Sequence, residues 1–300
     1  MTRRELLLAS SAALAAAPAG VPVLDTHIHL FDSTRKQGIP WPPKENKLIY
    51  KTTLPSHFAA VAKPHGVVGA IEVEASPWFD DNQWVLDVIE KDKLMVGTIG
   101  NLEPEKPDFR QHLDRFVKNK LFLGIRYGNL WDRDLGKSMQ NPAFIAGIKM
   151  LADAGKTMDS ANPTPKLLDE LLRLTDQVPT LRVVIDHLPK MTNLAAHEAT
   201  VRRFAARKQV YVKLSAVLLN VDGKISRDVA SYRGTLDMLM GIFGPDRVLY
   251  GSDWPNSEPL GPYGHIYQIV QDYFATKPRD VQEKYFLKNS VHAYRWVKRA

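Results

Sequence analysis

From Val21 onward, short apolar runs alternate with longer amphipathic ones. The apolar runs are rich in β-branched residues and of strand length. They are VPVLDTH (21–27), VVGAIEVEA (67–75), LMVGTIG (94–100), LFLGIRYG (121–128), a weaker GKTMD (155–159), LRVVIDH (181–187), VYVKLSAV (210–217) and RVLYGSD (247–253). They carry apolar residues on both faces, as parallel strands covered by helices must. The segments between them read as helices. DDNQWVLDVIEKD (80–92) opens on acidic cap candidates and puts Trp84, Val85, Val88 and Ile89 on one face. NPAFIAGIKMLADAG (141–155) has Pro142 in the first turn and Gly155 at its end. TPKLLDELLRLTDQ (164–177) and HEATVRRFAARKQ (197–209) follow the same pattern.

Strands and helices alternating eight times predict an α/β fold of the (β/α)8, or TIM, barrel type. An open doubly wound sheet is the competing architecture, but no Gly-rich phosphate loop follows the first strand. The longest loop-like stretch, Ser33 to Pro55, leaves the C-terminal end of the first strand, where barrels build their active sites.

Composition narrows this picture. A chain of 300 residues, 44% hydrophobic, has enough apolar surface for one large barrel domain over residues 20–300. The absence of cysteine excludes disulfides, thiol catalysis and thiolate zinc sites. The net charge of +7 is spread along the chain, with no basic block, so it suits anionic substrates rather than nucleic acid. MTRRELLLASSAALAAAPAG has paired arginines, an apolar run too short for a membrane span, and a small-residue cleavage pattern. Residues 1–19 are therefore expected to be a Tat-like signal, with a periplasmic or secreted mature protein and no integral membrane span. A frayed N-terminal helix is the alternative.

The chemistry gathers at strand ends. In VLDTHIHLFD, His27 and His29 stand at i and i+2, so both project from the same face of the first strand. Such a pair can chelate a divalent metal, polarise an oxyanion, or simply be two hydrogen-bonded rings. His187 ends the run LRVVIDH and Asp253 ends the last strand, so all four groups fall at the same end of a barrel.

H-x-H after the first strand, D-H-L after a later one and G-S-D-W-P after the last together resemble the amidohydrolase superfamily. Within it the chain is similar to the amidohydrolase-related branch of sugar-acid and pyrone lactonases. The likeness runs from Val23 to NSVHAYRW and includes EASPWFDDNQWVLD, GIRYG and VYVKLS. It implies a hydrolase in which Asp253 accepts a proton from the attacking water. His27, His29 and His187 would polarise the carbonyl directly, or hold one divalent ion (zinc or manganese) together with Asp253. Arg126 stands where some members have a metal-bridging lysine, which disfavours two metals. GKTMDSANP brings no histidine to the fifth strand, and Asp159 is read there as a turn former rather than a ligand.

Arg126 is the candidate grip for an anionic group, or a structural ion pair. Glu74, taken to point inward with Glu72, is a candidate partner for a hydroxyl. Lys213 is expected to anchor charge near the mouth or to pair with Glu74, and Trp41, Trp78 and Trp254 to wall a ring substrate. The leading expectation is hydrolysis of a cyclic ester such as a sugar-acid lactone. The alternatives are decarboxylation of an aromatic or unsaturated acid and, more remotely, non-catalytic binding. The expected partner is a small molecule, with assembly into a homo-oligomer left open.

Overall fold

The structure, a computed structural model, describes residues 20–221 and 223–299. The expected export signal lies outside them. The eight predicted strands all form: β1 (Val23–Ile28), β2 (Val67–Val73), β3 (Met95–Gly100), β4 (Phe122–Arg126), β5 (Thr157–Ser160), β6 (Arg182–Ile185), β7 (Val210–Lys213) and β8 (Val248–Leu249). They pair in parallel, each with the next in sequence. Closure between β8 and β1 is made just beyond β8, by Thr26 N–H to Tyr250 O (3.1 Å), Asp253 N–H to His27 O (2.9 Å) and His29 N–H to Trp254 O (2.8 Å). The backbone that shuts the barrel is therefore the backbone that carries four of the expected site residues, His27, His29, Asp253 and Trp254.

The helices α1 (Pro55–Ala62), α2 (Asp81–Ile89), α3 (Phe109–Phe116), α4 (Pro142–Asp153), α5 (Pro165–Gln177), α6 (Ala230–Phe243) and α7 (Tyr263–Ala275) surround the strands. Local sequence explains their starts. Asn141 caps α4 by accepting from Ala143 N–H, and Thr164 caps α5 by accepting from Leu167 N–H, each with proline at the first helical position. HEATVRRFAARKQ, predicted as one helix, breaks into a short α-helix (Glu198–Arg202) between 3₁₀ turns. Only Val201 and Phe204 of its two short turns from Glu198 onward are buried, so the apolar stripe is too narrow to seat a full helix.

Two apolar clusters form the core. The larger lies between strands and helices. The smaller contains Leu24, Ile71, Val73, Val96, Ile99, Leu123, Val184 and Leu249, and packs with Ala293 and Tyr294 of the last helix, α8 (Asn289–Tyr294). The Ala293 carbonyl accepts from Thr157 Oγ1 and Arg182 Nε at the starts of β5 and β6, so α8 plugs the N-terminal end. The opposite end stays open and is partly covered by residues 33–55. Arg35 pairs with Asp81 (2.5 Å) and Lys51 with Glu258 to fasten that loop down.

Candidate active site

Gly251 lets β8 press against β1. A Cβ there would stand 2.8 Å from His27 Cβ and 3.2 Å from Ser215 Cβ, so only glycine fits. Asp25, one turn of the pleat below His27, locks the same junction. Its carboxylate accepts from His27 N–H (3.1 Å), Ser252 N–H (2.9 Å) and Tyr263 O–H (3.0 Å). Beyond the strand ends, His187 (φ 53°) and Asp253 (φ 61°) both adopt the left-handed conformation, which costs a non-glycine residue roughly 1–2 kcal/mol. That turn swings both side chains over the barrel mouth.

The result is a three-sided cage. Asp253 Oδ1 lies 3.2 Å from His29 Nε2, 3.5 Å from His187 Nε2 and 3.6 Å from His27 Nε2. Its other oxygen accepts from Asn256 Nδ2 (2.9 Å). All four side chains are buried. His29 Nδ1 faces the Val73 carbonyl at 2.7 Å, and a carbonyl only accepts, so His29 carries its proton there and turns a bare Nε2 inward. His187 Nδ1 pairs with Ser215 Oγ (2.8 Å). Burial takes His187 down to about 4, against the pull of Asp253 and Asp186, and holds His27 well below the ordinary imidazole value. Burial alone would raise Asp253, but the surrounding His187, His29 and His27 outweigh it and keep its carboxyl well below the usual range. Near neutral pH the Asp253 carboxylate thus lies beside two rings, His27 and His187, that burial holds toward their neutral form.

This donor set fits a metal ion. Tetrahedral zinc with bonds of about 2.0–2.1 Å separates its donors by roughly 3.3–3.4 Å. The three distances above bracket that value, and His27 Nε2 is buried with no hydrogen-bond partner among the described residues. His27, His29 and Asp253 bring their donor atoms close enough together to hold an ion, and His187 Nε2 stands 3.5 Å from the same Asp253 oxygen.

Beneath the cage lies a charge network. Lys213, fully buried, touches Asp159 Oδ2 (2.6 Å) and Asp186 Oδ1 (3.0 Å). Tyr294 O–H also donates to Asp159 (2.9 Å). The expected pairing of Lys213 with Glu74 does not form, because Asp159 and Asp186 on neighbouring strands reach it first. Asp159 is therefore a partner of Lys213 rather than a turn former.

Above the cage is a cavity of about 180 Å³, lined by His29, Trp41, Glu74, Arg126, Trp131, His187, Lys190 and Asn256, with Ala75, Leu130 and Asn162. Arg126 spends only Nε on Asp186 (3.1 Å), and its terminal nitrogens bond to nothing among the described residues. Both readings of Arg126 are thus physically present, an ion pair on one edge and a free fork on the other. Glu74 accepts from Trp131 Nε1 and Ser76 N–H, and burial raises its carboxyl to about 7 despite Arg126. Trp41 leans edge-on against His29, ring centroids 5.5 Å apart.

Other placements differ from expectation. Glu72 does not point inward: alternation gives the interior to Ile71 and Val73, and Glu72 shares a small cavity with Trp84 and Val85 of α2. Trp254 does not line the mouth. It follows Asp253, faces the other way, packs on Phe58 and donates Nε1 to Glu258. Trp78 is partly exposed and also lies off the mouth cavity. Unforeseen contributors are Trp131, Lys190, Asn256, Ser215, Asp25 and Asp186. The two aspartates carried a signal, a lone acid in an apolar run one or two residues before a histidine. The loop residues carried none.

The open end of a parallel barrel thus gathers three histidines and an ionised aspartate. The family model described as amidohydrolase matches residues 24–296, and the chain belongs to that family. L-fucono-1,5-lactonase of Burkholderia ambifaria is 26% identical over 247 residues, covering 80% of this chain and 83% of that one. The fold is shared with an amidohydrolase from Burkholderia multivorans with bound zinc (TM-score 0.81, 19% identity, 92% of this chain and 100% of that one). It is shared too with 5-carboxyvanillate decarboxylase of Novosphingobium aromaticivorans, solved with manganese (TM-score 0.65, 16% identity, 92% of this chain and 96% of that one). Among the described residues no helix is long and apolar enough to cross a membrane.

Proposed function

We propose that this protein hydrolyses a lactone bearing polar or anionic substituents. The observation that carries the reading is Asp253, ionised, with one oxygen fixed by Asn256 and the other turned to the imidazoles at the mouth. Its lactonase-named relatives support the same substrate class.

The lactone ring lies between Trp41 and Trp131, with Arg126 and Lys190 facing its anionic or hydroxyl groups. Asp253 takes a proton from water as the water oxygen attacks the ring carbonyl. Imidazole groups stabilise the oxyanion that forms. On collapse, the bond from the carbonyl carbon to the ring oxygen breaks, and the proton held by Asp253 passes to that leaving oxygen. The product is the open hydroxy acid. Where the four donors hold a divalent ion, the chemistry it supplies is Lewis-acid polarisation of the same carbonyl. The small, half-closed cavity and the loop 33–55 limit bulk water around these groups. The proposal includes export before action, resting on the leader-like pattern of residues 1–19.

The test is a panel of aldonolactones and carboxylated lactones read by acid release, run beside carboxylated arenes read by carbon dioxide release. Acid release that disappears in Asp253→Asn supports the proposal. Carbon dioxide release alone, or acid release unchanged in that variant, overturns it.

A further inference from the structure

The buried lysine decides which ring nitrogen of His27 carries the proton. Lys213 Nζ has three near neighbours: Asp159 Oδ2 at 2.6 Å, Asp186 Oδ1 at 3.0 Å and His27 Nδ1 at 3.1 Å. On a further side lies the Tyr294 ring, its centroid 5.5 Å away. An ammonium has three hydrogens and no acceptor. Of the three, Asp159 Oδ2 and His27 Nδ1 stand in hydrogen-bonding geometry and Asp186 Oδ1 is an ion-pair contact, so an ammonium that can only donate requires His27 Nδ1 to offer its lone pair. The opposite tautomer points an N–H at an ammonium. It also leaves a lysine hydrogen bare in the interior, a costly state, and gives Nδ1–H only Asp186 Oδ1, at 3.5 Å, to bond.

We infer that Lys213 is a positioning residue that holds His27 with its proton on Nε2. That nitrogen is buried, has no hydrogen-bond partner among the described residues, and borders the space next to Asp253 Oδ1. The two rings of the H-x-H motif then differ. His29, bonded through Nδ1 to the Val73 carbonyl, presents a lone pair to the cage. His27 presents a proton, suited to an oxyanion. Ligation of a metal by His27 Nε2 requires that proton to move to Nδ1, directly against Lys213. Lys213 therefore weakens metal binding at the cage and keeps His27 a hydrogen-bond donor. The inference deepens the lactonase reading and rests on it only for the identity of the oxygen that His27 meets.

Two measurements on the full chain test it. The first is a long-range ¹⁵N–¹H spectrum of histidine-labelled, chelator-treated protein, with the His27 signals assigned by their loss in His27→Gln. Neutral His27 protonated at Nε2 is expected, and the Nδ1–H form overturns the inference. The second is a calorimetric titration with zinc chloride. Lys213→Met should bind zinc at least ten-fold more tightly than the unmodified protein, whereas a merely structural lysine predicts weaker binding on its removal. Equal or weaker binding by a folded Lys213→Met overturns the inference. Should that variant fail to fold, because Asp159 and Asp186 lose their shared cation, the spectrum of the unmodified protein decides alone. Neither readout needs turnover. A protein that opens no lactone yet shows the Nε2–H ring sinks the substrate proposal and leaves the role of Lys213 standing.

Discussion

Asn256 donates its amide N–H to Asp253 Oδ2 at 2.9 Å, leaving Oδ1 alone to face the three histidines. One oxygen is thus an anchor and the other is the working atom. Asp253→Asn should lower kcat about 10³-fold, in the range of lost general-base catalysis, with KM within about three-fold. Asn256→Ala keeps the base but frees its rotation, so a loss of about ten-fold is expected. Steady-state kinetics on a responsive lactone checks both, and equal losses in the two variants would contradict this division of labour.

Gly251 offers a test that touches no functional group. Gly251→Ala drives a methyl into His27 on β1 and Ser215 just beyond β7, neither of which can retreat without opening the barrel seam. Overpacking of this kind costs roughly 1–3 kcal/mol. Chemical denaturation should show that loss, and activity should fall further than the lost stability explains, because the displaced neighbour is His27 itself. A variant as active and stable as the parent would show that the seam is looser than its distances imply.

Much of this site was legible because its key groups sit at strand ends. The pattern that predicts a barrel also predicts where His27, His29, His187 and Asp253 meet, since every parallel strand delivers its last residue to the same rim. The network below was harder to read. Asp159, Asp186 and Lys213 are each visible as lone charges in apolar strands, but their pairing depends on how strands β5, β6 and β7 are staggered, which local pattern does not encode. Glu72 was misplaced for a related reason. Strict alternation decides sides only when one inward residue is already known, and Ile71 and Val73 hold that side. Trp131 lay beyond sequence reasoning altogether: it enters the mouth from an irregular loop, at φ 57°.

Glu74 should make stability fall with pH. Burial raises its carboxyl to about 7 from an ordinary 4.5, so the folded state binds a proton that the unfolded state has released across that interval. The stabilisation is complete below 4.5 and is lost as pH rises through about 7. At about 1.4 kcal/mol per unit the loss is on the order of a few kcal/mol. Glu74→Gln keeps an acceptor for Trp131 Nε1 and removes the titration. Urea midpoints measured at several pH values should decline from acid to neutral in the parent and decline less steeply in the variant. Parallel slopes would mean that Glu74 is ionised throughout.

Arg126 should discriminate substrates by charge. Its Nε is held by Asp186 at 3.1 Å, which fixes the guanidinium plane, while the terminal nitrogens have no partner among the described residues and Arg126 lines the cavity. A carboxylate on the substrate can take both of them at once, and charge-assisted bonds of that kind contribute about 1.5–3 kcal/mol. Lysine keeps the charge but has no fork. Arg126→Lys should therefore raise KM for a carboxylated lactone by roughly ten- to a hundred-fold, and shift KM for a neutral aldonolactone by less than about three-fold. Each substrate serves as the control for the other, since a disturbed Asp186 would affect both alike. An equal loss on the two would assign Arg126 to holding Asp186 in place, and selectivity for anionic rings would then have to come from Lys190 at the rim.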